Sequence, residues 1–287
     1  MTQASGQGTP VAAASIWGPL GRDFGIRLAS ALVLFGFALL VVWVGGWLFA
    51  GWIVIACTAM AIEWERMTQA PFAWTGVAIA ALTIAAAAAL ALLNLLPWAF
   101  GAVGAGALVS FAHAQATGRH RRWAFALPLY LGVPALILIW LRGAPDGWIT
   151  TLWFLFVVWA TDSWAMIAGR IFKGPLLAPT ISPKKTWSGF FGGLIGAMGI
   201  GAIFAAVAGR GPDLALLLAM SAISLVGQAG DVLESAVKRR FHAKDSGDVI
   251  PGHGGFLDRL DSLLAATLAM ALIRLIWPAF PFQGIWP

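Results

Sequence analysis

The chain has 287 residues, 60% of them hydrophobic and only 10% charged, with a net charge of +6. A soluble globular domain carries roughly a quarter charged residues, so this composition cannot cover a water-facing surface. Long apolar runs broken by short basic stretches define instead an all-α polytopic membrane protein. The basic balance does not indicate nucleic acid, because no basic stretch is interleaved with exposed aromatics in a soluble domain. Loop Lys and Arg that set orientation and meet anionic membrane lipid account for it.

Residues 1–25 form an Ala-, Gly- and Ser-rich stretch that reads as a disordered cytoplasmic tail, without the basic start of a cleaved signal peptide. Spanning takes about 20 apolar residues. By that measure about nine transmembrane helices follow, over 26–44, 47–62, 75–96, 98–115, 123–141, 148–168, 189–209, 213–230 and 261–278. The first five (26–147) form an N-terminal region, and 148–287 forms a C-terminal catalytic region with cytoplasmic loops. Cys57 lies in an apolar run and reads as packing. The Ala85–Ala89 run and the Gly192–Gly196 spacing favour close helix contact. Trp47, Trp123, Trp148 and Trp277 fall near helix ends, as interfacial anchors do.

With nine helices, 15 of the 18 Lys and Arg residues fall on the side of the N-terminus and the even-helix loops; Arg142, Arg210 and Arg274 fall opposite. The positive-inside rule makes the richer side cytoplasmic. Glu63, Glu65 and Arg66, after the second helix, read as interfacial pairing.

Two cytoplasmic segments carry the chemistry. In the first, Ser182, Lys184, Lys185 and Thr186 place two ammonium groups and two hydroxyls just before the seventh helix, a cluster that suits a polyphosphate or serves orientation alone. Asp162 lies about 10 Å inside the cytoplasmic end of the sixth helix, a functional candidate by position that a loop lysine could also neutralise.

In the second segment, Asp231, Glu234, Ser235 and Lys238 share one face if the eighth helix continues. Asp258, Asp261 and Ser262 repeat the pattern at the ninth. Carboxylates crowded at two helix mouths suit a hard divalent cation with oxygen ligands, magnesium (Mg2+) above all; the competing reading pairs Asp231 and Asp258 with Lys238 or Arg259. Lys238, Arg239, Arg240 and Lys244 read as phosphate ligands beside such a cluster. His253, Gly254 and Gly255 form a turn whose backbone lets an anion approach a helix N-terminus.

The run from Ser235 to Asp261, with Lys238-Arg239, Lys244-Asp245, His253-Gly254-Gly255 and Asp258-Arg259-Leu260-Asp261, closely resembles the signature of the phosphatidate cytidylyltransferases, or CDP-diacylglycerol synthases. Asp162-Ser163, Ser182-Pro-Lys-Lys-Thr186 and Gly230-Asp-Val-Leu-Glu-Ser235 resemble the family's other landmarks in the same order. One departure is Ser188, where members often carry Glu or Gln. The resemblance implies a magnesium-dependent transfer of CMP from CTP to phosphatidic acid, releasing pyrophosphate, at the cytoplasmic face of a bacterial inner membrane. It further implies Asp231 and Asp258 as the metal pair, supported by Asp261 and Glu234. Lys184, Lys185, Lys238, Arg239 and Arg259 become the candidates for holding triphosphate and lipid phosphate, with Asp231, Asp258, Lys185 and Lys238 as the catalytic set. A homodimer is compatible with all of this. Two other functions compete: a CTP-dependent lipid-alcohol kinase, and a cation- or proton-coupled transporter.

Overall fold

A computed structural model describes residues 35–247 and 255–282. The chain divides into two units after Ala38. The helices are α1 (described over Phe35–Val44), α2 (Gly46–Thr68), α3 (Trp74–Leu92), α4 (Leu96–Ala116), α5 (Arg121–Gly143), α6 (Gly147–Phe172), α7 (Trp187–Val207), α8 (Leu214–Arg240) and α9 (Leu257–Ile276). Between α6 and α7 lies a small antiparallel hairpin, β1 (Leu176–Ala178) with β2 (Ser182–Thr186), paired Leu176 to Thr186 and Ala178 to Ser182. Among the described residues, α2 to α8 are the seven helices long and apolar enough to cross a membrane. The remaining long helix, α9, carries Asp258, Arg259, Asp261 and Arg274.

Three helix ends depart from expectation in the same direction. α2 continues to Thr68, α8 to Arg240, and α9 begins at Leu257. Counting apolar residues stops at the first charge, but Glu63, Glu65, Asp231, Glu234, Lys238 and Asp258 all find partners in other parts of the bundle or along α8, so the backbone stays helical through them. The sixth helix also runs on, to Phe172, which puts Asp162 about 15 Å from its end at 1.5 Å per residue.

The outer surface is apolar: Leu82, Trp98, Leu108, Ile195, Ile203 and Leu272 are all exposed. Hydrocarbon solvates such a face as well as protein does, so cohesion has to come from interior packing and polar links. One core gathers Trp153, Phe154, Val157, Leu216, Met220, Ile223 and Met270. A second gathers Cys57, Met60, Trp64, Ile84, Leu127, Leu131, Leu257 and Leu264, so α9 reaches both. Between α6 and α7 the packing is closest. A Cβ on Gly189 would stand 2.8 Å from Ala165 O, and one on Gly193 2.9 Å from Thr161 O. Gly192 and Gly196 lie against Ala168 and Trp164, the close contact that their spacing predicts.

The three arginines of the sparsely charged end tie helix ends together. Arg274 donates to both Asp146 oxygens at 2.9 and 3.1 Å, and Thr150 Oγ1 donates to Asp146 at 2.6 Å. Arg142 donates to Val42 O and Trp43 O, and Arg210 to Asp213 and Pro281 O. Arg274→Met leaves the buried Asp146 without its counter-charge, which typically costs about 3 kcal/mol or more. The expected result is a clear fall in melting temperature of the detergent-purified protein; an unchanged melt would refute the clamp.

Candidate functional site

At the other end of the bundle, a cavity of about 650 Å³ opens between the hairpin, α6, α7, α8 and the start of α9. β2 projects Ser182, Lys184, Lys185 and Thr186 onto it; Asp162 comes from α6, Asp231 from α8, and Asp258, Arg259 and Asp261 from α9. Ala165, Met166, Leu177 and Phe190 supply an apolar wall. Nine of the residues singled out in the sequence, from segments up to about a hundred positions apart, therefore face one space.

The hairpin was not foreseen, and it is what presents the lysines. Thr186 Oγ1 accepts from Gly189 N at 3.1 Å and so caps α7. Ser188 donates to Lys173 O and lies 3.0 Å from Thr186 Oγ1, so the departing residue of the motif braces the hairpin's base. Removing an N-cap hydroxyl costs about 1 kcal/mol. Thr186→Val is expected to lose that much stability and Thr186→Ser to retain it, as read by thermal denaturation; equal melts for both variants would contradict the cap.

Opposite charges interlock across the cavity. Lys185 Nζ lies 2.7 Å from Asp231 Oδ2. Lys238 Nζ lies 2.5 Å from Glu234 Oε2 and 2.6 Å from Asp258 Oδ1, joining α8 to α9. Asp258 Oδ2 also accepts from Ser246 N at 3.0 Å and Gly255 N at 3.2 Å. Asp162 accepts from Ser262 Oγ at 2.8 Å, which links α6 to α9 rather than pairing with a loop lysine. Asp261 is buried, accepts from the N–H of Ser262, and lies in electrostatic reach of Asp231, Glu234 and Asp162.

Several predicted residues stand outside the cavity wall. Lys238 is committed to two carboxylates. Arg239 donates to Ile181 O at 3.1 Å and to Ala243 O at 3.3 Å, holding the hairpin's turn against the end of α8. Ser235 is buried in α8 and Lys244 is exposed beyond it. Gly255 is needed for close approach, since a Cβ there would meet the Glu63 carboxylate at 2.8 Å. His253 and Gly254 lie outside the described residues.

A positioning residue escaped sequence reasoning altogether. Glu63 does not pair with Arg66; it is fully buried and accepts from Phe256 N and Leu257 N, each at 2.8 Å, and from Ser246 Oγ at 3.1 Å. A carboxylate from α2 thus caps α9 from 193 positions away. Glu65 pairs, at 2.5 Å, with Arg119, and Arg66 rests over the Phe72 ring. The only sequence signal was an acidic residue just past an apolar run.

Whether these carboxylates suit a cation can be judged from their partners. Among the described residues, no three acidic, His or Cys side chains converge as a ready metal cage. Asp231 and Asp258 are each held by a lysine, as in the competing reading, though for Asp231 the lysine comes from the hairpin. Yet Asp162, Asp231, Asp258 and Asp261 face the same cavity as Arg170, Lys184, Lys185 and Arg259, and beside them the Lys238–Glu234 pair leaves the buried Glu234 Oε1 with no hydrogen-bond partner. An orphaned carboxylate oxygen beside a part-buried, oxygen-only donor set is chemistry that a hard divalent ion satisfies.

Comparison with known proteins bears on the same residues. The model of a family described as "Cytidylyltransferase family" matches residues 25–277. A protein of Brucella abortus biovar 1 (strain 9-941) named phosphatidate cytidylyltransferase is 39% identical over 264 residues, covering 88% of this chain and 93% of that one. Proteins of the same name from Rickettsia conorii (36% identical; 51% of this chain and 67% of that one) and Bacillus subtilis strain 168 (42%; 47% and 51%) match over shorter stretches.

Proposed function

The chain belongs to the cytidylyltransferase family, and from that premise we propose that it transfers CMP from CTP to phosphatidate, giving CDP-diacylglycerol and pyrophosphate for phospholipid synthesis. The observation that carries this reading is one cavity with Lys184, Lys185 and Arg259 beside four aspartates, at the mouth of helices whose outer surface is apolar. Such a mouth can receive a water-soluble triphosphate while the acyl chains of the second substrate stay in the bilayer.

The phosphate monoester of phosphatidate is already a nucleophile. Its oxygen bonds to the α-phosphorus of CTP as the bond from that phosphorus to the β-phosphate oxygen breaks, and no strong base is required. The task is to bring two polyanions together and to stabilise the charge that shifts onto pyrophosphate. In this reading Lys184 and Arg259 bind the triphosphate, and Lys185 exchanges Asp231 for a phosphate oxygen. Ser182 and Thr186 donate from the hairpin, and the Ala165–Met166–Phe190 wall guides the lipid. Lys238, Arg239 and Glu63 position α8, the hairpin and α9.

Magnesium is the ion the donor set favours. Asp231 and Asp258 would hold it, with Asp261 and Glu234 in support, and when bound it would neutralise phosphate charge and activate the α-phosphate. A cytoplasmic orientation is supported by the bias of basic residues toward the cavity's end of the bundle.

Purified protein given phosphatidate and CTP labelled at either the α- or the γ-phosphorus tests the reaction. We expect α-label in the lipid, none from γ-labelled CTP, and loss of transfer in EDTA that magnesium restores. Label entering only from the γ-position would mark a lipid kinase and overturn the reading.

A further inference from the structure

A second cavity, about 510 Å³, lies at the turn between α4 and α5, away from the carboxylates. Ligand sites typically occupy roughly 300–1,000 Å³. Its wall holds Arg119, His120, Arg121, Arg122 and Arg240, with Trp123 and Gln115, and no carboxylate among the described residues. Arg121 donates to Gln115 at 2.7 Å, and Arg119 is held by Glu65. Arg122 and Arg240 are exposed, and no hydrogen bond or ion pair engages them among the described residues.

Two further observations show what this cavity lacks. The Arg119 side chain is only 6% exposed, yet its Nε has no hydrogen-bond partner. α5 begins here without any side-chain cap, and His120 O serves Trp123 N and Ala124 N, which leaves the first N–H groups of the helix, at Arg121 and Arg122, unserved. The open helix N-terminus and the unpaired guanidinium groups of Arg122 and Arg240 suit an anion with several oxygens, and Arg119 Nε is a further unused donor beside them. Leu108 and Phe111, seven and four residues before Gln115, share its face of α4 and are exposed. An apolar track therefore leads from the cavity along the outer surface of the bundle.

We propose that this cavity binds a phosphate group, met most completely by the headgroup of an anionic phospholipid whose chains lie along Leu108 and Phe111. The site is separate from the one that transfers CMP. Phe241, at the end of α8, packs on Trp123 at 5.0 Å between ring centroids and on His120 at 6.2 Å. A bound headgroup that engages Arg240 would brace α8, which carries Asp231 and Lys238, against the α4–α5 turn.

The test is native mass spectrometry of the full chain in detergent, comparing the parent protein with an Arg122→Gln/Arg240→Gln double variant. Dioleoyl-phosphatidylglycerol, which has no monoester to react, is the probe, with dioleoyl-phosphatidylcholine as the neutral control. The variant should retain about tenfold less of the anionic lipid, the order expected for lost charge-assisted contacts, and equal amounts of the neutral one. If excess inorganic phosphate strips the anionic lipid from the parent protein, the site takes free phosphate as readily as a headgroup; if it does not, the lipid is the ligand. Equal retention of the anionic lipid by the two proteins, with and without phosphate, would overturn the site.

Discussion

Asp231→Asn is expected to reduce CMP transfer by about 10³-fold or more while the protein still inserts and purifies normally. The substitution keeps the shape of the side chain and removes one negative charge from the cavity wall. Folding should tolerate it. The ion pair with Lys185 is part-exposed, with 36% of the Asp231 side chain accessible, and pairs of that kind contribute about 1 kcal/mol or less. Catalysis should not tolerate it, because removal of one preorganised charge or donor from a reacting centre costs about 10²–10³-fold, and here the lost group is also a proposed metal ligand. Initial rates with labelled CTP, set beside the thermal melt of the same preparation, separate the two effects. Near-normal turnover in the variant would remove Asp231 from the mechanism and with it the metal assignment.

Glu63→Ala should be as damaging by a different route. The carboxylate is fully buried and accepts three hydrogen bonds, two from the N–H groups that begin α9 and one from Ser246. Hydrogen bonds to a charged acceptor contribute about 1.5–3 kcal/mol each, and the change leaves three donors near a void. Asp258 sits in the first turn of the helix that Glu63 caps and shares Ser246 with it. Loss of the cap therefore displaces a cavity carboxylate and weakens the bundle together. The expected result is a large drop in melting temperature and about 10²-fold lower turnover per folded molecule. Glu63→Gln, which keeps acceptor oxygen but not charge, should recover part of the stability and more of the turnover than alanine. A Glu63→Ala protein with normal stability and rate would show that α9 is held by other means.

Much of the architecture was readable because a bilayer-spanning helix announces itself by length and composition. The long apolar runs located every described span, and the glycine spacing before Gly196 located the tightest helix contact. Boundaries failed where hydropathy and structure separate: Glu63 and Asp231 end an apolar run but continue a helix, because the N–H groups of Phe256 and Leu257 satisfy the first and Lys185 pairs with the second. The hairpin was hidden for another reason. Its strands have three and five residues, and Pro175, Pro179 and Pro183 around them read as loop.

At the site, residue types were legible and partners were not. The sequence marks Asp231, Asp258 and Lys185 as candidates and the fold brings them to one cavity, but nothing local says that Lys185 will meet Asp231 or that Lys238 will join Glu234 to Asp258. Ser262 looked like one more polar residue at a helix start and is what orients Asp162, 100 positions earlier. Glu63 is the extreme case, a cap supplied across 193 positions. Capping motifs are recognised by short spacing, and a cap assembled from separate helices has none.

The account stands most directly on where CTP binds. A cryo-electron microscopy structure of the full chain in nanodiscs with CTP and magnesium should place the triphosphate in the cavity between the hairpin, α8 and α9. Lys184, Lys185 and Arg259 should then lie within hydrogen-bonding distance of phosphate oxygens, with Lys185 drawn off Asp231. Triphosphate density elsewhere, beside Arg122 and Arg240 for instance, with the Lys185–Asp231 pair intact, would contradict it.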